Sequence, residues 1–181
     1  MSLRVSNAGA RVAYLLAFFF VGVSLGPSLA HLLELPNKIG LDRDAYFIVQ
    51  GIYSGWAWLG VVVLGALLAT LALTIVLKGQ RRAQRWAAAA FGCVVLAQII
   101  FWAFTFPANQ ATSNWTEIPP EWEALRAQWE YSHAVAAIVN LIALLSLVFS
   151  VLEWRAAPAE LPTAAARYPQ QRHGQVRARK V

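Results

Sequence analysis

Four stretches of the chain carry no charged residue: positions 12–30, 45–77, 86–116 and 134–152. Each holds the roughly 20 apolar residues that a helix needs to cross ~30 Å of hydrocarbon. Lipid offers the backbone no hydrogen-bond partner, so a helix that satisfies its own ladder is the expected form of each stretch. The pattern predicts helices at about 12–33, 45–77, 86–106 and 120–154, packed as an all-α integral membrane four-helix bundle over residues 12–155. A short segment, 1–11, precedes the bundle, and a basic segment with several Pro, Ala and Gln, 156–181, is expected to be a disordered tail.

Two of these helices are too long for the membrane alone. Residues 45–77 number 33, which as one helix would reach ~50 Å at 1.5 Å per residue. Asp42 or Asp44 fits as its N-cap. Before the last helix, Pro119-Pro120 and then Glu121 and Glu123 put proline in a first turn and acids at the positive end of the helix dipole. Nothing from Glu121 to Trp154 breaks a helix, so helices 2 and 4 are expected to extend on one side. The alternative for WEALRAQWEYSH (122–133) is a separate helix lying flat in the interface, anchored by Trp115, Trp122 and Trp129.

Charge then gives these helices a direction. Twelve of the fifteen Lys and Arg lie before helix 1, between helices 2 and 3, or after helix 4; Lys38, Arg43 and Arg126 lie on the opposite side. By the positive-inside rule both termini face the cytoplasm, and the expected location is a bacterial inner membrane. The net charge of +6 is therefore read as a topology determinant touching anionic lipid, with no nucleic-acid partner expected. Composition agrees with a membrane protein: 59% hydrophobic, 13% charged, mean hydropathy +0.51, against about 25% charged in ordinary soluble domains. Arg4 and Arg11, YLLAFFFVGV and then Ser28-Leu29-Ala30 also have the form of a signal peptide. The long apolar segment, with Pro27 and His31 fitting a helix end, favours a retained helix. A lone Cys93 excludes a disulfide or a cysteine metal cluster within one chain.

Polar residues gather on the outer ends of all four helices. Arg126, Glu130, His133, Ala137 and Asn140 follow steps of four and three, and so share a face of helix 4. Helix 3 has Gln98, Trp102, Thr105 and Asn109, helix 2 has Tyr46, Gln50 and Tyr53, and helix 1 ends in His31-Leu32-Leu33-Glu34. Polar groups at this depth are costly unless paired or functional, so one shared level on four helices points to a site. Taken singly, Arg126 also fits a surface ion pair with Glu130 or Glu123, and Asn140, Gln98 and Gln50 fit interhelical hydrogen bonds. The spacings His31-x-x-Glu34 and Glu130-x-x-His133 admit a metal ion held by those four residues. They equally admit a metal-free acid–base site, so the cofactor is either none or a metal.

These residues carry a resemblance. GPSLAHLLELPNKIGL, YFIVQGIYSGWAWLG, FTFPANQATSNW and EWEALRAQWEYSH resemble the anthrone oxygenase-like family of small four-helix membrane proteins, over roughly residues 10–155. The matching elements are Ala30, His31, Leu35 and Pro36; Gln50 and Tyr53; Asn109; and Arg126, Trp129, Glu130 and His133. The resemblance implies oxidation of an anthrone to an anthraquinone, described for fungal members without a known cofactor.

Two functions follow as expectations. The first is an oxidoreductase acting on a hydrophobic aromatic or quinone-like molecule from the outer leaflet. In it His133, tuned by Glu130 and Arg126, is a general base; His31 and Tyr53 stabilise the oxyanion; and Gln50, Asn109, Trp102, Trp129 and Glu34 line the site. The second is a non-catalytic membrane subunit or lipid/quinone-binding module whose polar cap docks a partner. A homo-oligomer fits either. No nucleotide loop and no Ser/His/Asp arrangement points to another reaction class.

The charge asymmetry has a direct test. With Cys93 replaced by Ser, Ala111→Cys should react with an impermeant thiol reagent on intact cells and Ala165→Cys should not. The reverse labelling would invert the topology.

Overall fold

The computed structural model describes residues 7–156, so the N-terminal six residues and the basic tail from 157 onward lie outside the described residues. The described chain is helical, in the order α1 (Asn7–Lys38), α2 (Arg43–Gln50), α3 (Leu59–Val76), α4 (Arg81–Ile100), α5 (Phe106–Ala111) and α6 (Trp122–Ala156). Single 3-10 turns at Gly51–Tyr53 and Trp56–Trp58 join α2 to α3, and a π-helical turn, Phe101–Thr105, joins α4 to α5. Four segments are long and apolar enough to cross a membrane: Ala8–Lys38, Trp56–Val76, Arg81–Ala111 and Trp122–Arg155. They form an up-down-up-down bundle in which α1 packs on α3, α3 on α4, α4 on α6 and α6 on α1. The protein is an all-α membrane bundle.

The interior is built from small side chains. Ala13, Ala17 and Val21 of α1 face Ala66, Ala69 and Leu73 of α3, with Ala83, Ala87, Ala90 and Val94 of α4 and Ala143 and Leu147 of α6. The spacings of three and four keep each set on one helix face. In lipid there is no hydrophobic gain from burying Leu against Leu, so close backbone approach through small residues supplies the packing. At Gly65 a β-carbon would collide with the Phe20 ring, so α1 meets α3 across a bare backbone. Large apolar side chains point outward instead: Leu15, Phe19, Leu64, Leu68, Ile99 and Leu145 are all exposed. That inverted distribution is what a lipid-facing surface requires.

Hydrogen bonds pin the helices at several levels. At the end bearing the termini, Ser150 donates to the Ala83 carbonyl at 2.8 Å and pairs with the Tyr14 hydroxyl at 2.8 Å. Farther along, Asn140 donates to Ser28 at 3.0 Å, and Thr105 pairs with Ser132 at 2.7 Å. Asn140 is thus interhelical glue between α6 and α1.

Three local features depart from the sequence pattern. Helix 1 does not end near residue 33 but continues through Pro36 to Lys38. A proline near a helix end forfeits one ladder bond, and here the additional turn carries a buried lysine into the site. The second segment does extend beyond its apolar stretch, with Asp42 capping α2 by accepting from the Ala45 amide at 2.9 Å. It is not one helix, however: the chain turns at Gly51–Trp58, and Gly55 sits at φ 84°. Glycine reaches that left-handed conformation without a Cβ penalty. The third departure is the π turn before Pro107. Proline has no N–H to give to the carbonyl four residues earlier; the ladder rehangs from Phe106 to Phe101, and Gln128 donates to the Phe104 carbonyl at 2.8 Å.

The last helix is continuous from Trp122 to Ala156. Ala127→Pro should therefore remove the bond to the Glu123 carbonyl and clash with it, costing about 3 kcal/mol or more. A fall of the thermal midpoint in detergent is expected; an unchanged midpoint would mean the first turns are dispensable.

Candidate functional site

The loop-bearing end of the bundle holds two adjoining clusters, one charged and one of stacked rings. The charged cluster centres on Lys38, which is 4% exposed, and Glu130, which is 0% exposed. Their Nζ and Oε1 atoms lie 3.1 Å apart. The Tyr46 hydroxyl donates to the same Glu130 oxygen at 2.9 Å and itself accepts from Gln50 Nε2 at 2.6 Å. Lys38 also donates to the Tyr53 hydroxyl at 2.8 Å, and Tyr53 donates to Glu34. Glu34 lies 3.7 Å from Lys38 and 3.9 Å from His31 Nδ1. The Lys38 ammonium also sits 4.5 Å above the Tyr53 ring and 4.7 Å above the Trp129 ring, a favourable place for a cation with little water.

These groups come from α1, α2, the following 3-10 turn and α6, and each has a local reason to be there. His31, Glu34 and Lys38 stand at steps of three and four on α1, so they share one face. Tyr46 and Gln50 are the buried residues of α2, four apart. Tyr53 is delivered by the turn that interrupts the second segment. Both phenols lie in the cap outside the spanning segments. Burial first, and then the neighbouring carboxylates, push their pKa values up, so both stay protonated donors.

Beside this network the His31 and His133 rings stack, with centroids 4.1 Å apart and planes at 29°. Trp129 sets its edge against His31 at 5.0 Å and packs on His133 at 4.2 Å. Tyr53 and Trp56 close on His31 at 4.7 and 5.6 Å. His31 is buried and its Nδ1 has no hydrogen-bond partner; His133 is half-buried. The pair is therefore set among aromatic faces, with His133 the more exposed of the two rings.

Asn109 holds the box in position. Its Oδ1 accepts from Trp129 Nε1 at 2.8 Å and from Trp115 Nε1 at 3.1 Å. Trp115 enters the core because Ser113, Asn114 and Trp115 all take left-handed conformations, at φ 47°, 56° and 65°. Each costs roughly 1–2 kcal/mol for a non-glycine residue. Burial of the indole against Tyr46 and Phe47, at 5.3 and 5.6 Å, offsets that strain.

Several expected placements change. Arg126 does not pair with Glu130: its guanidinium donates to the Leu41 carbonyl at 2.7 Å and lies 4.6 Å over the Trp122 ring, and Lys38 is the cation at Glu130. Trp102 stays out of the box, 60% exposed on the lipid side, where it lines a shallow groove with Gln98, Leu67 and Ile99. The π turn explains this split, since one more residue in a turn rotates Gln98 and Trp102 away from the face of Thr105 and Asn109. His31, Glu34, Glu130 and His133 do not converge as a metal-ligand set. Among the described residues no three His, Cys, Asp or Glu do so, and Lys38 stands between the two carboxylates.

Lys38 and Trp115 are the members that the sequence pattern does not assign to the site. Lys38 falls in line with His31 and Glu34 once helix 1 is carried through Pro36, so its signal lay in the spacing. Comparison of the chain with family models, with characterised proteins and with solved structures finds no match.

A buried ion pair is most costly when half of it is removed, typically about 3–5 kcal/mol, whereas replacing both partners is often close to neutral. Lys38→Met and Glu130→Gln should each destabilise the bundle by about that amount, and the double variant should recover most of the loss. Additive losses in unfolding midpoints would show that the two charges are not coupled.

Proposed function

We propose that this protein is a membrane oxidoreductase of the anthrone-oxygenase type, in which the His31–His133 pair takes a proton from a flat hydrophobic phenolic molecule. The observation that carries this reading is the stacking of two imidazoles at 4.1 Å inside an aromatic box. Two imidazolium ions that close would repel by about 4 kcal/mol at an effective dielectric of about 20. At least one ring is therefore neutral and offers a lone pair. His133, the more exposed ring of the two, is the base; the Tyr53 and Trp56 rings supply stacking faces, the Tyr53 hydroxyl proton being held by Glu34.

The chemistry balances with dioxygen as oxidant. Loss of one proton from the acidic methylene gives a carbanion delocalised into the ring and its phenol or carbonyl oxygen. That anion gives electrons to dioxygen, and CH2 plus O2 becomes C=O plus H2O. The residues needed are a base, donors for the developing oxyanion and a box that excludes water. The sequence resemblance supports the same class. The positive-inside asymmetry supports an orientation in a bacterial inner membrane with both termini cytoplasmic and the loop end outside; in that orientation the substrate enters from the outer leaflet.

One observation favours the second reading, a non-catalytic module that docks a partner: Ile48, Ile52 and Trp58 of the second segment are each exposed. Activity decides between the two. Purified protein in detergent should convert a test anthrone to the quinone with one dioxygen consumed per product. His31→Gln and His133→Gln should each lower the rate by roughly 10²-fold or more. The double variant should be barely worse than either single one, because groups acting as a unit fail together. No turnover in the unaltered protein, or additive losses, would remove the enzymatic reading.

A further inference from the structure

A polar side chain inside a membrane needs a partner, because hydrocarbon offers none. Ser24, Ser28, Thr70, Thr74, Asn140 and Ser146, all in spanning segments, each hydrogen-bond within the bundle. Gln98 is the contrast. It stands ~20 Å from the nearer end of the span Arg81–Ala111 at 1.5 Å per residue, a depth from which its amide does not reach water. Among the described residues no group bonds that carboxamide. It is only partly covered, in a shallow groove on the lipid face of α3 and α4 with Leu67, Val95, Ile99 and Trp102. Ile99 and Trp102, at 58% and 60% exposed, form the rim of that groove.

We propose that Gln98 pairs with Gln98 of a second copy of this chain, and that the α3–α4 groove is the interface of a two-fold homodimer within the membrane. A carboxamide is its own complement. The N–H of each donates to the carbonyl oxygen of the other, so one contact satisfies the acceptor and one donor on both sides. Symmetry supplies the matching depth. Copies inserted in the same orientation are related by an axis along the membrane normal, which sets every residue level with its twin. A quinone in the groove would only accept a bond and would leave the amide oxygen unpaired; a second amide answers both ends. Helices in lipid associate through packing and such interhelical bonds, without a hydrophobic gain. The spacing that fits Gln98 for interhelical bonding thus has its partner helix in another molecule. The groove lies on α3 and α4 and the histidines on α1 and α6, so the interface does not depend on the chemistry of the loop end.

Cross-linking and association in lipid test the interface. With Cys93 replaced by Ser, Ile99→Cys in the groove should form a disulfide-linked dimer in membranes treated with copper phenanthroline. Leu145→Cys, exposed on α6, should not. Gln98→Leu removes the amide and keeps an apolar surface. It should lower the cross-linked fraction and weaken dimerisation in bilayers by roughly tenfold, read as the protein-to-lipid ratio at which half the labelled particles bleach in two steps. Gln98→Asn keeps an amide on a shorter stem and should lose less. The thermal midpoint of the detergent-solubilised monomer should be the same for both variants and the unaltered protein, which separates lost association from lost folding. Equal cross-linking at the two cysteines, or unchanged two-step bleaching in Gln98→Leu, would overturn the interface. So would a lowered midpoint in that variant, which places the amide's partner inside the chain. A monomer at every ratio overturns it as well, and a small molecule bound to that monomer and lost from Gln98→Leu would then be the occupant of the groove.

Discussion

The ion pair of Lys38 and Glu130 is the constraint to which much of the loop end is fitted. Taking two charges out of water carries an effective penalty of several kcal/mol for each ion, repaid only by close geometry and further hydrogen bonds. Every neighbouring element contributes to that repayment. The first helix continues past Pro36 so that Lys38 arrives at all, α6 continues beyond the membrane-length segment so that Glu130 meets it, and α2 lays Tyr46 and Gln50 over the carboxylate. Tyr53 completes the lysine's shell from the turn that follows. Three separate parts of the chain are tied to one buried contact, which fixes their relative height.

The bundle therefore works by two different principles at its two ends. Toward the termini, alanines and single hydroxyls let the helices approach closely, and specificity comes from contacts such as Ser150 between Tyr14 and the Ala83 carbonyl. Toward the loops, rings and charges replace the alanines. Helices that carry Trp129, Tyr46 and His31 inward cannot close to the same distance, and the space between them is covered by α2 and the left-handed turn at Ser113–Trp115. The π turn in the α4–α5 rod belongs to the change of regime. Beyond it the rod still faces α6, now through Thr105 and Asn109, which bond to Ser132 and Trp129.

Much of this was legible in the sequence because the signals were periodic. Charge-free stretches located four helices, and steps of three and four put His133, Glu130 and Asn140 on one face. The length of the last helix followed from the absence of any breaker after Glu121. What stayed hidden depended on single residues working against a local rule. Pro36 and the run to Lys38 read as a helix end, although a proline near a terminus costs little and a buried lysine needed the turn. Gly51, Ser54 and Gly55 lie in a continuous apolar stretch, where hydrophobic pattern outweighs the glycines in any reading by periodicity. Arg126 and Glu130 have an ideal helical spacing for an ion pair. They do not use it, because Glu130 points into the bundle toward a lysine 92 positions earlier, and pattern does not report which face a long side chain chooses.

The two clusters at the loop end also divide their labour. Glu130 has no exposed surface, so its charge has to be answered from inside the bundle. A carboxylate left alone there would be an uncompensated buried charge. With Lys38 at 3.1 Å its charge is answered locally, and the imidazoles are left facing rings. The lysine thereby makes the buried acid tolerable, and one contact sets both the height of α1 against α6 and the charge balance of the loop end.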